Sequence, residues 1–439
     1  MKKVLALLLT LAMLATLAAC SVQKEGNNGA ANSGNDSEGG DTATTAITMW
    51  TYPIGNWGNS ETVDAILAEF NKVHPEISVK VEYLDYSNGD GMVNTALEGG
   101  TAPDIIMEGP DRLVANWGAA GKMVDLSDMW TDEVKADIAA TSEVVESACK
   151  WTDGAYYEYP LCMTTHCMAI NYEAFEAAGA LQYIDEETHT WTTENFVKAC
   201  EALRDAGYAV PGIVYCGGTG GDQGTRALIR NLYSAAFTNP EHTEYTMNSE
   251  NGVKGLQLLI DMVADGSMTY DAGIVASDEL TLFANGTACM SFCWNASNAS
   301  NYASQVTFTA FPMAFPSDDG VPELDGGIWG FGIFDNGDQA RIDAAKVFID
   351  WVCNGDQAAS NVYNTTFFPV RSSLGDVYAG TEKASFSDFL IFMPYLGDYY
   401  NVTTKWAEQR TAWFEMLQSA FTSGDAAAAL DAYVATANA

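Results

Sequence analysis

Two periods of hydrophobic and polar residues alternate along the folded part of the chain. Ile47 to Trp50 predicts a short strand, and from Glu61 to Val73 the residues Val63, Ile66, Leu67, Phe70 and Val73 fall on one helical stripe. Pro75 ends that helix. Ile77, Val79, Val81 and Tyr83 then alternate as a strand, a second helix is expected around Met92 to Leu97, and "PDIIM" supplies a strand ending near Glu108. Strand, helix, strand, helix, strand predicts a parallel sheet with helices on its faces.

The same order then recurs. Met168 to Ile170 is strand-like, "TTENFVKACEALRDAG" is a helix opened by Thr and closed by Gly207, and "GIVYC" is a strand. Further on come a helix in "VKGLQLLIDMV", a short helix into Phe283, the strands "TACMSFCW" and "GIWGFGIF", the helix "AAKVFIDWV", and a mostly helical C-terminus from about Thr403. No repeat of solenoid or propeller period is present. This part approaches about four hundred residues, too many for one ordinary core, and is expected to divide into two lobes.

Ahead of it stand Lys2 and Lys3, an apolar run from Val4 to Leu17, and the small residues Ala18 and Ala19. That pattern is a secretion signal over residues 1–19, shorter than the roughly 20 apolar residues of a membrane span. Leu17-Ala18-Ala19-Cys20 resembles the bacterial lipobox. The resemblance implies that the Cys20 thiol is lipidated and becomes the N-terminus, two acyl chains holding what one would hold only marginally. An ordinary secretory signal with an incidental cysteine is the alternative. Ser21 to Thr45 is Gly, Asn, Ser, Asp, Thr and Ala with little to bury, so residues 20–45 are expected to be a flexible tether.

Composition narrows the partners. With 58 acidic against 20 basic residues the net charge is -38, which argues against nucleic acid and against an anionic membrane face. Eight cysteines remain after Cys20, in no CxxC arrangement, and read as buried small hydrophobes. Cys289 and Cys293 share one face of a strand about 13 Å apart, beyond disulfide reach. His74, His166, His189 and His242 are scattered, with no HExxH helix and no GxSxG turn, so no metal, cofactor or catalytic group is expected.

The segments "ITMWTYPIGNW", "LAEFNKVHPEISVKVEY", "NTALEGGTAPDIIM", "GKMVDLSDMW", "YEYPLCMTTHCMAINYEAFEAAGA", "WTTENFVKACEALRDAG", "FANGTACMSFCWN", "AAKVFIDWVCNGDQA" and "FFPVRSS", in this order and spacing, resemble the extracellular solute-binding proteins of sugar-type ABC importers, the family that includes maltose-binding protein. The resemblance implies an α/β, two-lobed periplasmic-binding-protein-like fold of type II, with hinge crossovers and a ligand cleft between the lobes. On that pattern the first lobe takes residues 46–158 and 325–353 and the second 163–320 and 357–439, with a hinge crossing near Tyr159 to Met163. Closure of the lobes on solute is a hinge motion that a membrane permease can read. The implied partners are a small solute and ABC permease subunits, and the chain is expected to act as a monomer on the extracellular face of the cell membrane, held by its lipid.

Ligands in open parallel sheets sit beyond the carboxyl ends of the strands. That rule selects Trp50, Tyr52 and Trp57 after the first strand, Trp57 in a Gly/Asn loop with no core to fill, and Glu108 and Asp111 after "DIIM". Sugars offer flat C–H faces to aromatic rings and hydroxyl pairs to carboxylates, amides and Arg. The family pattern adds Trp294 and Asn295 after "GTACMSFC", and Asp222, Gln223 and Arg226 in "CGGTGGDQGTRALIR". Glycines between strand and helix there resemble an anion cradle, though the loop matches neither GxxxxGK[ST] nor GxGxxG. Trp329 lies among glycines at a predicted lobe crossing, where missing side chains leave room for an approaching group. Arg371 in "FFPVRSS" and His166 near the hinge complete the candidates. A neutral oligosaccharide is the expected solute, a phosphate-bearing or other anionic solute the alternative, and a surface glycoside hydrolase the alternative of another class.

Overall fold

The computed structural model describes residues 44–86, 88–218, 221–403 and 405–439. The secretion signal, Cys20 and the tether up to residue 43 lie outside the described residues. Among the described residues are strands β1 (Thr45–Thr51), β2 (Ile77–Tyr83), β3 (Ile105–Glu108), β4 (Tyr159–Thr165), β5 (Cys167–Asn171), β6 (Ile213–Tyr215), β7 (Thr269–Asp271), β8 (Met290–Trp294), β9 (Ala310–Met313), β10 (Gly326–Ile333) and β11 (Phe368–Pro369). They form a six-stranded sheet in the order β11-β4-β10-β3-β1-β2, a three-stranded sheet β8-β5-β9, and the pair β6-β7. As the strand-helix alternation predicts, β1 runs parallel to both β2 and β3. β10 is antiparallel to β3 and β4.

The helix Ser60–Val73 shows how sequence builds this layer. Asn59 accepts from the Glu61 amide as its cap, and Val63, Ile66 and Phe70 are buried. Phe70 meets Phe348 and Trp351 edge-on at 5.1 and 5.4 Å. Val73, expected on the same stripe, is instead 61% exposed in the last turn. The predicted hinge segment from Tyr159 is itself a strand: all seven residues of β4 are buried, inserted between β10 and β11. A strand covered on both faces has no alternation to read.

β10 fits between its neighbours because of its glycines. A Cβ at Gly330 would strike the Tyr159 carbonyl of β4, and one at Gly327 would strike the ring of Trp329. The C-terminus is helical as predicted, with Trp406–Ser423 and Ala426–Ala437 separated by Gly424 at φ 75°. Ahead of it Ala384–Tyr395 winds as a narrow helix of about three residues per turn, which no periodicity announced. All eight cysteines among the described residues are buried and free. No helix of the described residues is long and apolar enough to cross a membrane.

Candidate functional site

The ends of β1 and β3 place one group of polar side chains. Tyr52, fully buried, donates its hydroxyl to Asp90 and stacks on Tyr86 at 5.1 Å. Arg112 lies over both rings and binds Asp90 through Nε (2.7 Å) and Nη2 (3.2 Å), Glu108 through Nη1 (3.1 Å) and Asp111 through Nη1 (3.2 Å). Glu108 is 2% exposed, and its other oxygen accepts from the Gly109 amide. Burial, then the nearby charge of Asp111, pushes its carboxyl up to about 8. Glu158, on the residue before β4, has no exposed surface and neither carboxylate oxygen has a hydrogen-bond partner among the described residues. Burial, with Glu108 and Asp111 adding, holds it well above the usual carboxylate range.

A second group is carried by the helix Asp222–Asn231 and by residues near 325 and 400. Asp222 is buried against Arg226 and Arg410, accepting from Arg410 Nη2 at 2.6 Å and Nε at 3.0 Å. Arg226 donates through Nε to the Tyr400 hydroxyl (3.2 Å), which donates in turn to Asp325, and lies over Trp406 at 4.6 Å. Arg230 reaches Asp325 from the next turn at 3.2 Å. His166, whose backbone N–H donates to the Asp325 carbonyl, is lowered to about 4 by burial.

These groups face one another. The turn Pro110–Arg112 packs against Tyr400–Val402. Burial lowers the basicity of Arg410, on which the charges of Asp111 and Arg112 also act. The hydroxyl of buried Tyr399 accepts from the Ile328 amide at 3.4 Å and feels Asp111, Glu158 and Glu108. Beside them Trp329 is half-buried and stacks on Phe367 at 4.3 Å and 15°. A Cβ at Gly109 would meet the Ile328 carbonyl at 2.8 Å, so this glycine lets β10 pass close to the Glu108–Asp111 turn, with the Trp329 ring at 3.8 Å from the same point.

A family model described as bacterial extracellular solute-binding protein matches residues 55–358. The chain belongs to that family. No curated protein sequence matches this solute-binding protein. Among solved structures it is similar to the cyclic alpha-maltosyl-1,6-maltose binding protein of Arthrobacter globiformis, at 18% identity and TM-score 0.71 over 90% of this chain and 98% of that one. The sugar-binding protein MalE of Xanthomonas citri aligns at 15% identity and TM-score 0.73, covering 90% and 96%. An ABC substrate-binding protein from Listeria monocytogenes in complex with cycloalternan aligns at 19% and 0.65, covering 90% and 98%. The solute-binding protein thus has the two-lobed, periplasmic-binding-protein-like α/β fold.

Of the residues the sequence singles out, the structure gathers Tyr52, Glu108, Asp111 and Trp329 around Arg112 and Gly109, and Asp222 and Arg226 in the facing network. Gln223 is half-buried on the first turn of its helix. Trp50 is half-buried on another surface, lining a depression of about 450 Å³ with Asn88, Met92 and Thr95. Trp57 does have a core to fill: its ring meets Phe331 edge-on at 5.4 Å and its indole N–H points at the Asn361 carbonyl, 3.5 Å away. The loop folds inward there because Gly55, at φ 51°, sits against the Thr365 carbonyl where a Cβ would collide.

Trp294 is 1% exposed and edge-on to Phe283, its indole N–H without a partner among the described residues. Asn295 caps the helix Ala296–Tyr302 through the Asn298 amide (2.8 Å) and reaches His166 at 3.3 Å. Among the described residues of the "CGGTGGDQG" loop, Gly221 and Gly224 serve packing. A Cβ at Gly221 would strike Ala276, one at Gly224 the Phe292 carbonyl, and the first turn of the helix already holds the carboxylate of Asp222. Arg371 has no carboxylate partner among the described residues and donates to the Tyr159 hydroxyl at 2.8 Å.

The sequence reading missed Asp90, Arg112, Glu158, Phe367, Tyr399 and Arg410. Arg112 was readable, four residues after Glu108 and next to Asp111. Tyr399 and Arg410 come from distant chain and carry no local signal.

Proposed function

We propose that this solute-binding protein is the lipid-anchored receptor of an ABC importer, capturing a neutral oligosaccharide by closure of two lobes and delivering it to the membrane permease. In this reading the lobes comprise residues 46–158 with 325–353 and 163–320 with 357–439, and Cys20 carries the lipid. The observation that supports the sugar most is the half-buried Trp329 ring, stacked on Phe367, beside the Glu108–Asp111 turn. A flat ring face beside hydrogen-bonding carboxylates matches the C–H face and hydroxyl rim of a pyranose. Two similar structures are described by the cyclic maltosyl-maltose and cycloalternan they bind, which favours the same class.

An anionic solute is disfavoured by the commitments of Arg226, whose guanidinium already answers Asp222 and lies 3.7 Å from Asp325. Glycoside hydrolysis would need carboxyls free to act on a bond, and Glu108 and Asp111 both bind Arg112. The test is a thermal-shift panel of linear and cyclic oligosaccharides, glycerophosphodiesters and polyamines. A neutral oligosaccharide at a hundredfold excess over its Kd should add about 2.7 kcal/mol of stability. A shift with a phosphodiester and none with any sugar would overturn the neutral-solute reading, and product formed from a bound sugar would overturn the receptor role.

A further inference from the structure

A second concavity, of about 350 Å³, lies on the opposite face of the six-stranded sheet. Glu108 pairs with Gly330, while Phe331 pairs with Tyr159 and packs toward Phe348 of the helix Gln339–Asn354. Successive strand residues point to opposite faces, so Tyr159 and Glu108 serve different sides.

The floor of this pocket is Arg371, 7% exposed, and Tyr159, with no exposed surface. Arg371 Nη2 donates to the Tyr159 hydroxyl (2.8 Å) and to Asn354 Oδ1 (2.5 Å), and Asn354 Nδ2 donates to the same hydroxyl (2.7 Å). The phenol oxygen therefore accepts twice, and its own proton finds no acceptor among the described residues. Nor does the buried Arg371 Nε–H. The guanidinium lies over the Tyr159 ring at 5.4 Å and feels the charge of Asp137, but it forms no ion pair among the described residues, and its burial is costly unless an acceptor joins it.

The mouth has the opposite sign. Glu133 and Asp350 are exposed there and Asp137 is half-buried, held by Ser372 and by the amide and hydroxyl of Ser373. Three carboxylates at the rim repel a simple anion, and the buried guanidinium repels a simple cation. A molecule carrying both charges satisfies both.

We propose that this pocket binds a small zwitterion of the amino-acid type, its carboxylate joining the Arg371 guanidinium, its ammonium facing Asp350 and Glu133. This site is separate from the sugar cleft and stands whether or not the solute there is a sugar.

Calorimetric titration of the mature chain with glycine, glutamine and glycine betaine, and with acetate and ethylammonium as single-charge probes, tests it. At least one zwitterion should bind, with acetate and ethylammonium at least about tenfold weaker. Asp350→Asn and Glu133→Gln, both exposed, should each weaken the zwitterion about two- to fivefold while leaving oligosaccharide affinity unchanged. Arg371→Gln should abolish it, and the two rim variants keep the test decisive if that protein does not fold. Absence of binding by every zwitterion at millimolar concentration, acetate binding as well as glycine, indifference of both rim variants, or competition with the cleft ligand would each overturn the proposal.

Discussion

Replacing Glu158 by Gln removes a buried ionisable group while keeping its shape. The carboxyl has no exposed surface and no hydrogen-bond partner among the described residues, and burial with Glu108 and Asp111 nearby holds it neutral well above its ordinary range. In the unfolded chain it ionises in that ordinary range. Its folded-state pKa is therefore raised, so its contribution is complete at low pH and is lost as pH rises toward the folded value. While folded Glu158 stays protonated and unfolded Glu158 does not, linkage removes about 1.4 kcal/mol of stability per pH unit. The comparison is made from neutral pH upward, clear of the range where His166, lowered to about 4, adds its own slope. Glu279, pushed up to about 8 by burial, contributes to both proteins and cancels in the difference. Urea unfolding of wild type and Glu158→Gln at three pH values from neutral upward should show the variant gaining about 1.4 kcal/mol on wild type for each pH unit over which folded Glu158 stays protonated. Parallel stability curves would refute the neutral, unpartnered carboxyl.

Trp329→Ala removes the ring stacked on Phe367 and should weaken the oligosaccharide by at least about tenfold, measured by calorimetry; unchanged affinity would exclude stacking there. Asp325→Asn leaves Arg226 and Arg230 short of a buried counter-charge and should cost about 3 to 5 kcal/mol in denaturant unfolding. Gly330→Ala pushes a methyl group into the β4 backbone and should lower the melting temperature, whereas Gly91→Ala, in the helix Gly89–Gly99 with nothing near the added methyl group, should be much milder. Cys20→Ala should release the protein into the medium with solute affinity intact, and retention in the membrane fraction would contradict the lipid anchor.

Local periodicity carried much of the fold because the helix Ser60–Val73 and strand β2 each bury one side. The buried stripe of Val63, Ile66 and Phe70 is visible in the chain itself. β4 escaped for the opposite reason: "YPLCMTT" is enclosed on both faces and offers no contrast. The site divides in the same way. Glu108 and Asp111 were legible because they follow a strand, and Trp329 because glycines surround it. Trp57 was misjudged because its loop's tightness depends on Gly55 meeting Thr365, some three hundred residues on, a contact with no trace in local composition. Tyr399 and Arg410 enter for the same non-local reason. Glu158 reads as an ordinary strand-flanking acid until both faces around it are filled.

The eight enclosed thiols make this molecule its own unfolding reporter. Burial raises the pKa of each of them, Cys149, Cys162 and Cys353 among them, so both access and thiolate are withheld while the chain is native. Alkylation in native buffer then proceeds only as fast as segments open, and its rate at each position measures how often that segment opens. Cys353 and Cys162 would time the six-stranded sheet, Cys200 and Cys216 the opposite half. Comparing the two clocks with and without an added ligand would show which of the two regions that ligand steadies.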